Sequence, residues 1–307
     1  MRSLVRHVSA AQDPNVGLDY DRAGERYRAY ADGDVNNLYE FDGQYAYGDQ
    51  EIWRILGNTL NKLRARGPRE LFVLDLGCGP GAWIRRIVDW AGKMVLRESP
   101  RGVDLAETRV RRARVLSQDV ASRAGVALQF DVGDIRKPMP EPDRSIDIGL
   151  CLYGVLNHLP AEDLSTVFGE VGRITKGKFV TTVRAIGSTP TIYVDGMKAA
   201  KAYHQDNVHG RLQVEFQNGS QTSSPSHLFD AAEIRTLAKP ALQIEELSGL
   251  DLFHNRFVTD PDWNPTKATP DANFIHALRV LEHRFRRIPT FLDHATHLLL
   301  IARRKTS

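Results

Sequence analysis

Leu71-Phe72-Val73-Leu74-Asp75-Leu76-Gly77-Cys78-Gly79-Pro80-Gly81-Ala82-Trp83 is the stretch whose reading decides the fold. A continuous apolar run ends in an acid. Glycines follow at alternate positions, and then an amphipathic segment begins. A short apolar run bounded by glycine reads as a buried strand, and the segment after it as a helix. Glycine is needed where the chain takes a positive φ or where backbone must approach a ligand closely. The stretch therefore predicts a strand over about 70–76, a tight turn against a ligand, and a helix over about 81–92. Trp83, Ile84, Ile87 and Val88 form the core face of that helix.

Two ligand chemistries compete for the turn. Gly77-x-Gly79-x-x-Ala82 fits the looser dinucleotide fingerprint, in which a pyrophosphate sits on the helix N-terminus. Asp75 works against that reading, because a carboxylate two residues before the first glycine repels phosphate. It attracts a ligand that carries an ammonium and a sulfonium. With that acid in place, the stretch resembles the first motif of class I S-adenosylmethionine (SAM)-dependent methyltransferases. The resemblance covers about 70–305 and implies an α/β fold: a Rossmann-like, seven-stranded, mostly parallel sheet with an antiparallel last strand and helices on both faces. An N-terminal arm and lid insertions fall outside the match. The cofactor implied is SAM, held in part by Asp75 and by the backbone of Gly77, Cys78, Gly79 and Gly81.

Later segments extend the resemblance. Arg101-Gly102-Val103-Asp104-Leu105 ends a second strand, where the family's acid holds both ribose hydroxyls; Asp104 matches, with Leu105 beside it. A carboxylate can accept two hydrogen bonds from a diol. Asp104 also suits the N-cap of a helix over 105–123, which is compatible with that role. Residues 126–132 alternate apolar and polar side chains as a third strand should. The resemblance then implies that Asp134 accepts from the adenine amine and that Ile135 lies against the ring. Residues 145–159 resemble the fourth motif. The resemblance implies that the chain at Cys151 lines the methionine and sulfonium region, with Cys151 a small buried residue and not a nucleophile. Tyr153, Asn157 and His158 lie just past that strand, near the methyl group. A histidine can take a proton near neutral pH, so His158 is the first candidate base and Tyr153 the second. A structural role for His158 and Asn157 stays open.

The rest of the chain continues the βα alternation. A helical stripe over 162–174 is followed by a fifth strand over 178–184. Residues 186–228 form an insertion, with a helix expected over Thr191 to Tyr203 and a hairpin at Asn218-Gly219. Asp230 caps a helix, and Leu242 to Leu247 forms strand six. A second insertion, 250–290, carries a helix over about 271–287 and the pocket candidates His254, Arg256 and Trp263. Residues 294–302 form strand seven, antiparallel between five and six as in the family. Upstream, Asp49 caps a helix that runs to about Arg66, with Ile52, Ile55, Leu56, Leu60 and Leu63 on its apolar face. Residues 1–48 hold six of the nine tyrosines. They read as an arm closing over the ligand, with Tyr20, Tyr27 and Arg26 as its contacts. The domain proper is then 49–305.

Composition narrows the function classes. A formal net charge of +3 over 307 residues does not call for a nucleic-acid partner, and Arg109, Arg111, Arg112 and Arg114 read as a solvated helix face. Two cysteines exclude a disulfide scaffold and fit a reducing cytoplasm. No apolar run reaches the roughly 18 residues of a membrane span. The ends of strands four and five, Cys151-Leu152-Tyr153 and Arg184-Ala185, bring no carboxylate cluster, so no metal is expected. The family's nucleobase-amine enzymes carry an Asn/Asp-Pro-Pro-aromatic sequence after strand four, which this chain lacks. The expectation is a metal-independent SAM-dependent methyltransferase, monomer or homodimer, acting on O, N or C of a small or medium organic acceptor. Two alternatives stand beside it: an NAD(P)-dependent oxidoreductase using the same glycines, and a non-catalytic SAM-binding regulatory protein.

Overall fold

The computed structural model describes residues 38–41, 46–67, 71–91, 100–188, 200–254 and 272–305. Helix α1 (Ala46–Arg64) leads into strand β1 (Val73–Leu76) and helix α2 (Ala82–Ala91). Strand β2 (Arg101–Asp104), helices α3 (Glu107–Leu116) and α4 (Gln118–Ala124), strand β3 (Gln129–Val132) and strand β4 (Ile146–Cys151) follow. A 3₁₀ turn (Val155–His158) and helix α5 (Ala161–Ile174) connect to β5 (Thr175–Arg184). After the first insertion come α6 (Ala231–Ala238), β9 (Leu242–Leu250), α7 (Ala272–Phe285), α8 (Pro289–Leu292) and β10 (His297–Arg304). The insertion itself carries β6 (Ala200–Asp206), β7 (Arg211–Phe216) and β8 (Gln221–Pro225).

The main sheet has seven strands in the order β3-β2-β1-β4-β5-β10-β9. Strands β1 to β5 pair in parallel, and β10 is antiparallel to both β5 and β9. Strand β9 therefore points the same way as β1 to β5, and six C-terminal ends open on one edge. The connection reverses direction between β1 and β4, which is the position where open α/β sheets hold their ligands. Both strands are buried throughout, as parallel strands covered on two faces must be.

Side-chain alternation along β1 divides the core. Leu74 and Leu76 pack with Leu164, Phe168 and Val171 of α5. Val73 faces the other way, into a layer with Ile52, Leu56 and Leu60 of α1 and Trp83 and Ile87 of α2. Full burial of each α1 aliphatic contributes about 1.5–3 kcal/mol.

Several sequence expectations shift. Asp49 lies in the first turn of α1 and not at its cap. The helix expected over 105–123 breaks at Ser117, and its second part ends on Gly125 in the left-handed conformation. Strand β5 begins at Thr175, directly after α5. The helix expected over Thr191 to Tyr203 is not formed at its end: Ala200 to Tyr203 belong to β6, where Tyr203 pairs with Val214 and His204 with Gln213. Pairing with β7 overrides the helix-favouring alanines and lysine there. The Asn218-Gly219 hairpin forms as expected, with β7 and β8 antiparallel. Asp230 caps α6, its carboxylate accepting from the backbone N–H of Ala232 and Glu233. Strand six runs on to Leu250, and strand seven starts at His297.

Candidate active site

The glycine turn leaves β1 at the switch point. The N–H groups of Gly77 and Cys78 both donate to the Val103 carbonyl, at 2.7 and 3.0 Å, which ties the turn to β2. Gly77, Gly79 and Gly81 all take positive φ, at 71°, 52° and 77°. A Cβ at Gly77 would stand 2.3 Å from Val155 Cγ2, so glycine is required for the 3₁₀ turn after β4 to pack there. Gly79 differs: it is buried, yet a Cβ there would meet none of the described residues within 4 Å. Buried backbone that no described side chain stands against suits the close approach of a ligand.

Two acids border that space. Asp75 is 2% exposed, and burial, with Asp104 close by, pushes its carboxyl up to about 8. Asp104 accepts from Gly79 N–H at 2.8 Å and from Ala106 N–H at 2.9 Å, so it steers the turn and starts the helix region beyond β2. Ala106, not Asp104, is the N-cap of α3. No cation of the described residues pairs with either acid. A buried carboxyl without a cation is costly to ionise. A bound ligand that brings its own positive charge relieves that cost, so the residues present fit SAM.

The third strand delivers Asp134 and Ile135 to the same edge. Ile135 is buried in the core layer shared with α5. Asp134 is held by Arg136, whose Nε and Nη2 reach its two oxygens at 2.9 and 2.6 Å. Burial opposes ionisation of Asp134, but the Arg136 side chain and backbone N–H hold the carboxyl below its usual range. Cys78 and Cys151 are both buried thiols; burial, with Asp75 nearby, raises both, so neither is a nucleophile at neutral pH. Leu105 lies on the bend that follows Asp104.

Beyond β4, Tyr153 takes a φ of 58° and Gly154 one of 76°. The Tyr153 N–H donates to Thr182 Oγ1 at 2.6 Å, and Gly154 N–H to the Thr182 carbonyl at 3.2 Å. The Tyr153 hydroxyl donates to Asp49 Oδ1 of α1. Its ring lies 6.4 Å from that of Trp83, at 24°, and meets His297 edge-on at 5.8 Å. Asn157 is a structural bracket. Its amide nitrogen donates to the carbonyls of Arg184 and His227, at 3.1 and 2.5 Å, and its oxygen accepts from Arg184 N–H at 2.9 Å. It joins the turn after β4 to the end of β5 and to the foot of the inserted sheet.

His158 Nδ1 lies 3.0 Å from the Pro225 carbonyl. A carbonyl only accepts, so Nδ1 carries the hydrogen and Nε2 is the ring's acceptor nitrogen. Burial, together with the charges of Arg184 and Arg109, holds His158 at about 4, and it is neutral at physiological pH. His297 is held at about 3 by burial and Arg184.

The structure brings Asp75, Gly77, Cys78, Gly79, Gly81, Asp104, Leu105, Asp134, Ile135, Cys151, Tyr153 and His158 to one edge of the sheet. Tyr20, Tyr27, Arg26, Arg256 and Trp263 lie outside the described residues; His254 is buried against Tyr47. The sequence reading missed Asp49, Thr182, Arg184 and His297, which reach the site only through tertiary pairing. It also misread Arg109 as part of a solvated face. Arg109 is half-buried and its charge reaches Cys78 and His158, whereas Arg111 is 64% exposed as expected. Among the described residues, no group of three or more His, Cys, Asp or Glu is placed to hold a metal ion.

Known proteins resemble this chain at the same place. Residues 73–178 match the family model described as a methyltransferase domain. A sterol 24-C-methyltransferase of Gibberella zeae is 35% identical over 106 residues, which cover 34% of this chain. The chain spans only 24% of the length of that relative. A SAM-dependent methyltransferase structure from Clostridium acetobutylicum shares the fold with a TM-score of 0.50 at 12% identity, covering 93% of this chain and 98% of its own. Magnesium protoporphyrin IX methyltransferase from Synechocystis, solved with bound S-adenosylhomocysteine (SAH), is similar at a TM-score of 0.49 and 18% identity, covering 94% of this chain and 98% of its own. The matched segment, residues 73–178, is described as a methyltransferase domain and holds the glycine turn, Asp75, Asp104, Asp134 and Cys151.

Proposed function

We propose that the protein transfers a methyl group from SAM to an O, N or C atom of a small or medium organic molecule, without a metal. The observation that carries this reading is the buried Asp75, without a cation among the described residues, beside a Gly79 that no described side chain stands against. When bound, SAM supplies an electrophilic methyl group on a sulfonium. Asp75 answers the positive charge of the amino-acid end, Asp104 the ribose hydroxyls, and Asp134 with Ile135 the adenine. The backbone of Gly77, Cys78 and Gly79 lets the ligand lie against the turn, and Cys151 borders the sulfur. Tyr153 and His158 stand at the acceptor end in this reading. Much of the rate enhancement comes from holding donor and acceptor in line and excluding water.

The enclosing elements support a small acceptor. The β6–β7–β8 sheet is tied at its foot to the turn after β4, through His158 and Asn157. Residues 1–48, with Tyr20 and Tyr27, form the other cover in this reading. A relative named for sterol methylation is in keeping with such an acceptor. Two unpaired cysteines fit the cytoplasm, and no helix of the described residues is long and apolar enough to cross a membrane. The test is calorimetry with SAM, SAH, NADH and NADPH, followed by an acceptor screen with methyl-labelled SAM. Binding of SAM and SAH with labelled product is expected. A nicotinamide nucleotide binding alone would overturn the reading, and SAM binding with no transfer to any acceptor would leave a SAM-binding regulator.

A further inference from the structure

We propose that Tyr153 takes the proton that an acceptor hydroxyl or amine loses on methylation, and that Asp49 acts through it as a positioning residue that receives the tyrosine's own hydrogen. This rests on the methyl-transfer reading above.

Four observations carry it. Tyr153 follows Cys151 by two residues, at the end of a strand that borders the switch point. It holds a left-handed backbone, where a side chain costs about 1 kcal/mol or more, and two contacts with Thr182 keep it there. Strain of that kind is retained where a side chain is needed at the position; glycine would relieve it. The ring is also clamped from two sides, by Trp83 and by His297. Finally, the hydroxyl donates to Asp49 across 104 residues of sequence. A carboxylate that already accepts the phenol hydrogen is a ready destination for it.

The surrounding charges favour this route. Asp49 is close to Asp251, at the end of β9, which lies near Glu282 of α7. Asp251 is buried, takes the Gly48 N–H, and is held well above the usual carboxylate range by burial, Glu282 and Asp49. Glu282 is raised too, chiefly by burial, and accepts from Phe253 and His254 N–H at 2.7 and 2.9 Å. A proton arriving at Asp49 joins a group of acids that also holds Arg286, whose charge acts on Glu282. A proton arriving at His158 would instead create a cation beside Arg184 and Arg109. In the step, the acceptor heteroatom bonds to the methyl carbon as the carbon–sulfur bond breaks, and sulfur keeps the electron pair. The heteroatom's proton passes to Tyr153 Oη, and the tyrosine hydrogen passes to Asp49 Oδ1. One positive and one negative charge disappear together, and Asp49 later returns its proton to water.

The test needs no known acceptor. A fluorinated tyrosine that ionises near neutrality is installed at position 153 of the full chain. Its midpoint is read by fluorine NMR with SAM and with SAH, alongside calorimetry of both. SAM bears a charge on sulfur that SAH lacks, so SAM is expected to lower the midpoint by about one pH unit or more relative to SAH. Asp49→Asn is expected to lower the midpoint in the SAH complex by about one unit, because the carboxylate no longer favours the protonated phenol. Equal midpoints with both ligands bound would overturn the proposal while leaving methyl transfer standing. An unmoved midpoint in a folded Asp49→Asn chain would remove Asp49 from it. Failure of both ligands to bind would instead sink the methyl-transfer reading. If Asp49→Asn does not fold, the SAM-against-SAH comparison alone decides the role of Tyr153.

Discussion

The two halves of the crevice are built differently. The half over β1, β2 and β3 consists of backbone and strand-end acids: three glycines with positive φ, Asp75, Asp104 and Asp134, each within its own short motif. The half over β4, β5, β9 and β10 is assembled from residues far apart in the chain. Tyr153 meets Asp49 over 104 residues, Asn157 meets His227 over 70, and His158 meets Pro225 over 67. The first half can serve a constant ligand, because backbone and short motifs vary little without breaking the turn. The second can be changed one contact at a time, which suits the part of an enzyme that meets a particular acceptor.

That contrast predicts separable failures. The largest effect is expected from Gly77→Val, which sets a branched side chain at positive φ into Val155. Calorimetry should find no SAH binding, and urea unfolding should show a loss of about 3 kcal/mol or more. Next comes Asn157→Ala, which strands three hydrogen-bonding partners on the other side of the crevice. A loss of about 2–3 kcal/mol is expected in urea, with SAH affinity changed less than about threefold. Collapse of SAH binding in that variant would show that the halves are one unit. Asp230→Ala, a local cap at the edge of the second half, should cost only about 1 kcal/mol and leave SAH affinity alone.

The same contrast explains what was legible in the sequence. The strand–turn–helix around Asp75 and the acids at the ends of β2 and β3 follow from local patterns of apolar run, glycine and carboxylate, and the order of the sheet from the family resemblance those patterns carry. The Asn218-Gly219 hairpin and the Asp230 cap are equally local, and both formed as expected. Asp49 reads as a helix cap in the sequence because its partner, Tyr153, lies beyond any local pattern. Arg109 looked like a member of a solvated cluster because helical spacing alone does not show which face the glycine turn covers. The expected helix ending at Tyr203 failed for the same reason: pairing with β7 overrode local propensity.

Asp75 also makes a pH prediction. Its native pKa is raised from 3.8 to about 8, so the folded chain keeps a proton that the unfolded chain gives up. The sign follows: its contribution to stability is greatest below pH 4, falls as pH climbs towards 8, and is level above that. Asp75→Asn should flatten that decline in urea titrations.

SAH calorimetry at pH 6, 7 and 8, in buffers of different ionisation enthalpy, reaches the central claim most directly. A ligand ammonium that draws Asp75 into its ionised form must release a proton, so binding should tighten by up to about tenfold per unit as pH rises towards 8, with close to one proton released at pH 7. Asp75→Asn should release none. Binding of NADH in place of SAH, or SAH affinity that is flat across this range with no proton released, would contradict the assignment of the buried acid to a cationic ligand.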